Sequence, residues 1–363
     1  MKNILLMVPR LNIGGAETYT AMIAEKLKEQ GYNVYTASGG GMLTTHLKEK
    51  GIKNFWLPMR FSTDISAFML KRIVEKLHID IIHANSAAAG ITAMKYKQKY
   101  NNIPVVYTAH GVFGDLKKEK ILQECDKIIY VSRFIKNDSL QKGFPADTAN
   151  LIYIGIDLGK FNTSLPREDL RRRYGIGKDD FTMAITARIK NLYNKGHEDL
   201  LQIMHKHPNA AKWHLIVIGK GKSLSKLKHK IKEYGLQEHV HCVGGVDVDD
   251  VQNYVSICDA VVLPSYFETF GLAIAEGMMM GKAGVAYDIG GLPEIIKNGE
   301  NGFLVKHKDI DELYNRLEQL ADDRNLCKTM GKNAHEYVLK HFSCDVMMEK
   351  LNAVYDDVME NRR

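Results

Sequence analysis

The sequence predicts an α/β protein of two open, doubly wound parallel-sheet domains facing each other across a cleft. Three observations predict it. Short apolar runs alternate with amphipathic stretches along the whole chain, the pattern of parallel strands joined by crossover helices. That alternation breaks once, near the middle, and then restarts. The length of 363 residues exceeds that at which one hydrophobic core usually keeps growing.

In the first half, strands are expected near Asn3–Val8, Val34–Ser38, Phe55–Leu57, Ile79–His83, Val105–Thr108, Lys127–Val131 and Leu151–Ile154, with helices between them. The first helix is the clearest. Ala16, Tyr19, Ile23 and Leu27 recur at spacings of three and four, which puts them on one face, and Gly31 supplies the stop. Gly155-Ile156-Asp157, a polar segment to Pro166 and a basic helix Arg167–Tyr174 form the break, read as an interdomain linker. Strands then follow near Thr182–Thr186, His214–Ile218, Val240–Val243, Ala260–Leu263, Ala283–Tyr287 and Gly302–Val305, and the remainder is helical. The domains are therefore expected over residues 1–163 and 164–341, with a last helix over 342–363. Loops at the strand C-terminal ends would line the shared cleft.

Composition narrows the class. Apolar residues make up 45% and charged residues 26%, as in an ordinary globular protein. The five cysteines never fall at C-x-x-C spacing, which argues against a disulfide framework or a zinc knuckle and suits a reducing cytoplasm. The apolar run Asn3–Val8 is too short for a signal-peptide core, and no run reaches eighteen apolar residues. Net charge is +7, unevenly spread: residues 1–163 carry 22 Lys and Arg against 14 Asp and Glu, residues 164–363 carry 28 against 29. The positive half fits a solvated basic surface, or a domain that meets anionic lipid headgroups or an anionic acceptor. Nucleic acid is not indicated, because no aromatic stacking platform interleaves the lysines.

The strongest chemical signal follows the strand Ala260–Leu263. Pro264 ends the strand and a helix is expected from about Phe270, so Glu268 lies in the loop and Glu276 about two turns into the helix. The backbone N–H groups of Phe270, Gly271 and Leu272 would then be free to hold a phosphate. The two carboxylates could accept hydrogen bonds from sugar hydroxyls. Taken alone, the spacing fits equally a capping acid and one exposed helix glutamate. Gly14-Gly15 lies between the first strand and the first helix, where backbone can approach a ligand; a structural turn explains it as well, and the dinucleotide fingerprint is absent. His110 should project from the edge of the first sheet, although a lone histidine is more often structural.

These segments together resemble the retaining glycosyltransferases of family four, which have the GT-B fold of two facing Rossmann-like domains. The resemblance is carried by Pro264–Glu276, Gly290-Gly291-Leu292-Pro293-Glu294-Ile295-Ile296, Asn301–Val305, Gly14-Gly15-Ala16-Glu17, Thr108-Ala109-His110-Gly111, Val131-Ser132, Gly155-Ile156-Asp157, and Arg188 followed by Lys195-Gly196. It implies a nucleoside-diphosphate-sugar donor, UDP-sugar favoured, bound by the second domain, and a glycan or lipid-linked acceptor bound by the first. It implies no metal or other cofactor. In the family, Arg188 and Lys195 would stabilise the departing diphosphate. Without it they read as a surface ion-pair partner and a turn residue. Glu268 and Glu276 would grip the transferred sugar and the nucleotide ribose, Gly14 and Gly15 would meet the donor phosphate, and the backbone at Val246 would meet the nucleobase. His110 would orient or polarise the donor sugar near the reacting carbon. Closure of the domains would assemble His110 and Gly15 against Arg188, Lys195 and Glu268, and the final helix, from about Phe342, would return to the first domain. Retention of configuration is implied by the resemblance alone, by a front-face route for want of an identifiable nucleophilic carboxylate.

The pattern has departures: Ile154 stands where asparagine is common, Ala187 where glycine is frequent, and Ala283-Gly284 replaces a frequent Pro-Val. Other motifs are set aside. Gly219–Ser223 ends like a phosphate-binding loop, but Ile216 stands where that motif needs glycine. Asp247–Asp250 resembles a metal-binding acidic triplet, yet capping of a helix near Val251 accounts for it. His205-x-His207 and His239-x-His241 lack further zinc ligands. Met278, Met279 and Met280 read as core filler. Two rival classes are a GT-B epimerase or hydrolase and a non-catalytic sugar-binding protein. Acceptor specificity is expected in the loops Gly39–Met42, Met59–Thr63 and Gly111–Lys118, on a bacterial-type cell-surface glycan or glycolipid at the inner face of a membrane.

Overall fold

The computed structural model describes residues 2–12, 14–157, 159, 167–246 and 250–360. The chain divides into two units, one of Met1–Ile154 with Asp345–Arg363 and the other of Gly155–Cys344. The expected boundary at residue 163 and the segment 160–166 lie outside the described residues.

The first unit is built on seven strands, β1 (Asn3–Met7), β2 (Asn33–Ser38), β3 (Lys53–Trp56), β4 (Ile81–Ala84), β5 (Val105–Ala109), β6 (Lys127–Tyr130) and β7 (Ala149–Leu151). They form one sheet in the order β3-β2-β1-β4-β5-β6-β7, every pair parallel. A parallel sheet is covered on both faces, so its central strands are buried at successive positions rather than alternately, and mostly with apolar residues. Ile4, Leu5, Leu6 and Met7 are accordingly all buried. The crossovers are α1 (Gly15–Glu29), α2 (Leu43–Glu49), α3 (Thr63–Leu77), α4 (Ala87–Lys99), the single turn α5 (Leu116–Glu119) and α6 (Arg133–Gln141). Ser62, Ser86 and Ser132 cap α3, α4 and α6, each hydroxyl accepting from a backbone N–H three residues on. The seventh strand starts and ends earlier than the expected Leu151–Ile154. Ala149, Asn150 and Leu151 pair with Ile128, Ile129 and Tyr130, and β6 then ends, so the ladder has no further rung.

The second unit carries α7 (Arg167–Arg173) and the strands β8 (Thr182–Thr186), β9 (His214–Ile218), β10 (Val240–Gly244), β11 (Ala260–Leu263), β12 (Ala283–Tyr287) and β13 (Gly302–Val305). Their order is β10-β9-β8-β11-β12-β13, again all parallel. Its helices are α8 (His197–Lys206), α9 (Leu224–Glu233), α10 (Val251–Ser256), α11 (Leu272–Met279), the single turn α12 (Leu292–Ile295), α13 (Ile310–Asp322) and α14 (Arg324–Phe342). Met278 and Met279 are buried in the core. Asp247–Asp249 lie outside the described residues, and the Asp250 carboxylate, rather than capping α10, accepts from the Asn253 side-chain amide at 3.3 Å.

The last helix, α15 (Cys344–Glu360), starts after Ser343 rather than near Phe342 and belongs to the first unit. Its Tyr355 hydroxyl meets Nδ1 of the buried His83 at 2.6 Å, and His83 Nε2 meets Thr108 Oγ1 at 2.7 Å. Burial pushes His83 down to about 3 and keeps it neutral, with both ring nitrogens engaged by hydroxyls. At the surface, Lys2 pairs with Asp356 and Lys127 with Asp357.

Candidate donor site

Because every strand of the second unit is parallel, every loop that follows a strand C-terminus lies along one rim, and the strand order reverses between β8 and β11. Arg188 follows β8. Its neighbours are tied to the loop after β9: Ala187 N–H donates to Ile218 O at 3.0 Å and Ile189 N–H to Lys220 O at 3.2 Å. The approach is so close that a Cβ on Gly219 would lie 2.0 Å from Ala187 O and one on Gly221 2.3 Å from Ile189 O. The glycines of the phosphate-loop-like segment thus serve to let backbone meet backbone, and Arg188 stands exposed between two anchored residues.

The chain then turns through Asn191, whose Oδ1 accepts from the N–H groups of Tyr193 and Asn194. Gly196, at φ +72°, opens α8; a Cβ there would lie 2.2 Å from Pro264 O. This presses Lys195 against the loop after β11. Tyr266 N–H donates to Asn194 O at 3.0 Å, and Lys195 Nζ lies 2.6 Å from Glu268 Oε2, both side chains largely buried. Two of the four candidate catalytic residues therefore touch.

Glu268 is held from the other side by the loop after β12. Gly291 N–H donates to Glu268 O at 3.3 Å, and Gly290, at φ +54°, passes so near that a Cβ would lie 1.7 Å from that oxygen. The Gly290-Gly291 pair has a physical reason here: nothing larger allows the two loops to meet.

The helix expected from about Phe270 begins two residues later. Gly271 takes φ +107°, a conformation open to glycine, and serves as N-cap, so α11 starts at Leu272. Phe270 precedes the helix and is buried, its ring 5.7 Å from that of Phe342. Of the three N–H groups expected to open the helix, that of Leu272 does; Glu276 is its fifth residue, one turn in rather than two. Val246 lies half-buried beyond the end of the edge strand β10.

One residue the sequence reading passed over is part of this arrangement. Asp199, in the first turn of α8 and 1% exposed, accepts from Tyr287 at 2.6 Å and from Tyr266 at 3.1 Å. Burial pushes its carboxyl up from the ordinary range, and the two tyrosine hydroxyls offset part of that. An acid in the first turn of a helix reads in sequence as a favourable dipole contact; here it braces the loop that carries Glu268.

In the first unit, Gly14 and Gly15 open α1. Gly14 is extended at φ −176°, which any residue adopts, and a Cβ on Gly15 would meet nothing within 4 Å. Neither the Gly14 backbone angles nor the space around Gly15 requires glycine. His110 follows β5, its ring edge-on to Tyr19 of α1 with centroids 4.8 Å apart. Burial pushes it down to about 3, so the imidazole is neutral. The fold thus gathers Gly14, Gly15 and His110 within one unit and Arg188, Lys195, Val246, Glu268, Phe270, Gly271, Leu272 and Glu276 within the other. Among the described residues no group of three or more His, Cys, Asp or Glu is arranged to hold a metal ion, and no helix is long and apolar enough to cross a membrane.

Comparison with known proteins agrees with this architecture. Residues 13–160 match the family described as Glycosyltransferase Family 4, and residues 166–337 the family described as Glycosyl transferases group 1. An uncharacterized glycosyltransferase of Methanocaldococcus jannaschii is 28% identical over 82% of this chain and 81% of its own. The UDP-Gal:alpha-D-GlcNAc-diphosphoundecaprenol alpha-1,3-galactosyltransferase of Escherichia coli is 25% identical over 89% and 88%. Among solved structures, Anabaena HepE in complex with UDP superposes with a TM-score of 0.86 at 22% identity, over 98% of this chain and all of its own. With two parallel-sheet units and both family modules in place, the chain belongs to the family-four glycosyltransferases, sugar-transferring enzymes of the GT-B fold.

Proposed function

We propose that this chain moves a sugar from a UDP-sugar to a lipid-linked glycan acceptor, with retention of configuration and without a metal. The observation that carries the reading is the Lys195–Glu268 pair, braced by the loops after β8, β11 and β12 on the strand-end rim of the second unit, the rim to which the exposed Arg188 also belongs. As the bond from the anomeric carbon to the donor phosphate breaks, its electron pair stays on the diphosphate. Arg188 and Lys195 are the cations that would meet that charge, a role a divalent metal would otherwise fill. Glu268 would accept from hydroxyls of the transferred sugar and Glu276 from the ribose, while the Gly271 and Leu272 N–H groups at the start of α11 would hold a phosphate. The backbone at Val246 would meet the base. Gly15 leaves room over the start of α1 for the donor, and neutral His110 would orient the sugar rather than carry a proton. The acceptor oxygen would attack from the face the diphosphate leaves, passing its proton to a departing phosphate oxygen. UDP is favoured by the UDP complex of a structural neighbour, and a lipid-linked acceptor by the diphosphoundecaprenol-linked acceptor in the name of one relative together with the basic first half.

Thermal shift against a panel of nucleotide sugars identifies the donor, since a cognate ligand raises stability by mass action. NMR of the product formed in EDTA then reads the anomeric configuration. Inverted product overturns retention, loss of turnover in EDTA overturns metal independence, and donor breakdown that ignores added acceptor overturns transfer.

A further inference from the structure

The first unit carries an open cavity of about 620 Å³ between α2 and the edge strand β3, within the range of about 300–1,000 Å³ that small-molecule sites occupy. Gly40, Thr44, Thr45, Lys48, Lys53 and Asn54 line it, and no acidic residue does. Its polar groups are rich in donors. Lys48 and Lys53 are exposed, and among the described residues neither is paired with a carboxylate; Lys53 rests on the Phe55 ring, its Nζ 5.1 Å from the centroid. Asn54 is held in one orientation. Its Oδ1 accepts from Thr36 Oγ1 at 3.1 Å and from Ser38 Oγ at 2.9 Å, which leaves its Nδ2 to donate to an occupant of the cavity. Ser38 Oγ in turn accepts from Gly40 N–H at 3.1 Å and so ties the loop after β2 to the same strand. Trp56 ends β3, two residues beyond Asn54 and on the same face of the strand, and is 59% exposed. Because the sheet is parallel, the ends of β2 and β3 lie on the rim that also carries Gly14, Gly15 and His110. Two strand spacings put the end of β3 about 10 Å along that rim from the end of β1.

We propose that this cavity is a subsite for an acidic sugar residue of the acceptor. Lys48, Lys53 and the Asn54 amide hold its carboxylate or phosphate, and Trp56 stacks on the apolar face of its ring. The inference deepens the reading of a glycan acceptor and rests on it. Donors with no acid beside them select an anion, which meets charge-assisted hydrogen bonds that a neutral hydroxyl does not. The exposed indole selects a sugar over a bare phosphate ion, which has no apolar face to lay against it. Lying along the rim from β1, the site holds a part of the acceptor away from the reacting hydroxyl. It therefore sets which glycan is accepted and takes no part in the bond change.

The chain has two tryptophans, and Trp213 is 5% exposed, so a change of emission on adding a sugar reports on Trp56. The test titrates the full chain, with UDP present throughout to occupy the donor site, against glucuronate, glucose 6-phosphate, glucose and inorganic phosphate. The expected result is a saturable change with at least one acidic sugar, and binding about tenfold weaker for glucose and for phosphate. Lys48→Ala/Lys53→Ala should weaken the acidic sugar about tenfold at an unchanged Tm, both side chains being exposed; Lys48→Ala alone repeats the measurement if the double variant melts early. Trp56→Ala, followed by calorimetry, should also weaken it. A response to glucuronate supports a carboxylate-bearing residue, and a response to glucose 6-phosphate a phosphate-bearing one. Emission that ignores both acidic sugars, glucose or phosphate that binds as well as they do, or lysine variants that bind like wild type overturn the proposal. No donor turnover enters the measurement, so failure here leaves sugar transfer untouched. Binding of an acidic sugar without transfer to any glycan that contains it would instead overturn the acceptor role of the cavity.

Discussion

Gly290→Ala offers a sharp separation of position from presence, since it alters no group that would touch the donor. The added Cβ would sit 1.7 Å from the Glu268 carbonyl oxygen, so reaching even 3.0 Å requires the two loops to part by about 1.3 Å. Glu268 must move with its own carbonyl. Its pairing with Lys195 at 2.6 Å tolerates no such shift. Misplacement of a reacting group by about 1 Å costs on the order of 10²-fold in rate, and kcat/KM for sugar transfer should fall by that much. The left-handed backbone adds about 1–2 kcal/mol of strain for alanine, so the protein stays folded with a modestly lower Tm. Gly299→Ala is the matched control: its φ of +80° carries similar strain, but its Cβ would meet nothing within 4 Å. Steady-state kinetics beside thermal melts decide the matter. If Gly290→Ala keeps wild-type kcat/KM, or if Gly299→Ala loses as much, the claim that loop contact sets the Glu268 position is wrong.

Other substitutions probe other links. Lys195→Ala should lower kcat by about 10²–10³-fold, the range for loss of one group that stabilises developing charge. Far-UV circular dichroism should be unchanged, and retained turnover would remove Lys195 from the leaving-group role. Asp199→Ala should leave two tyrosine hydroxyls without their acceptor and cost about 1–3 kcal/mol by denaturant titration; a smaller loss would show that the brace is replaceable by water. Tyr355→Phe strips one partner from His83 and should destabilise the first unit by a similar amount. The pH dependence has a defined sign. A histidine held at about 3 in the fold, against about 6.5 when unfolded, contributes stability that is complete above the unfolded value and is lost as pH falls toward the folded one. For His83 that loss is about 2 kcal/mol between pH 6.5 and 5. Denaturation midpoints that stay constant over this interval would contradict it.

The strands were legible because a parallel strand buried on both faces is written as a run of apolar residues, and no distant information is needed to recognise Ile4–Met7 or Ala260–Leu263. Element starts were less so. Gly271 looks like an early helical residue in sequence, and only its left-handed backbone shows that the chain is still turning there. Glu268 and Lys195 could be named from family resemblance, but their contact depends on Gly196 and Gly290 meeting backbone atoms far along the chain, which spacing cannot reveal. Asp199 was missed because its role is set by tyrosines 67 and 88 residues away. His83 was hidden for the same reason, its partner being 272 residues distant.

The return of α15 to the first unit has a consequence for how the protein is made. Residues 1–154 leave the ribosome well before Tyr355, yet His83 lies at the centre of their sheet with Tyr355 as one of its two partners. During synthesis the early unit therefore has all seven of its strands but lacks one of the two partners of its central histidine until α15 is made. The last helix then completes the polar partners of the first-made half only after the rest of the described chain has been synthesised.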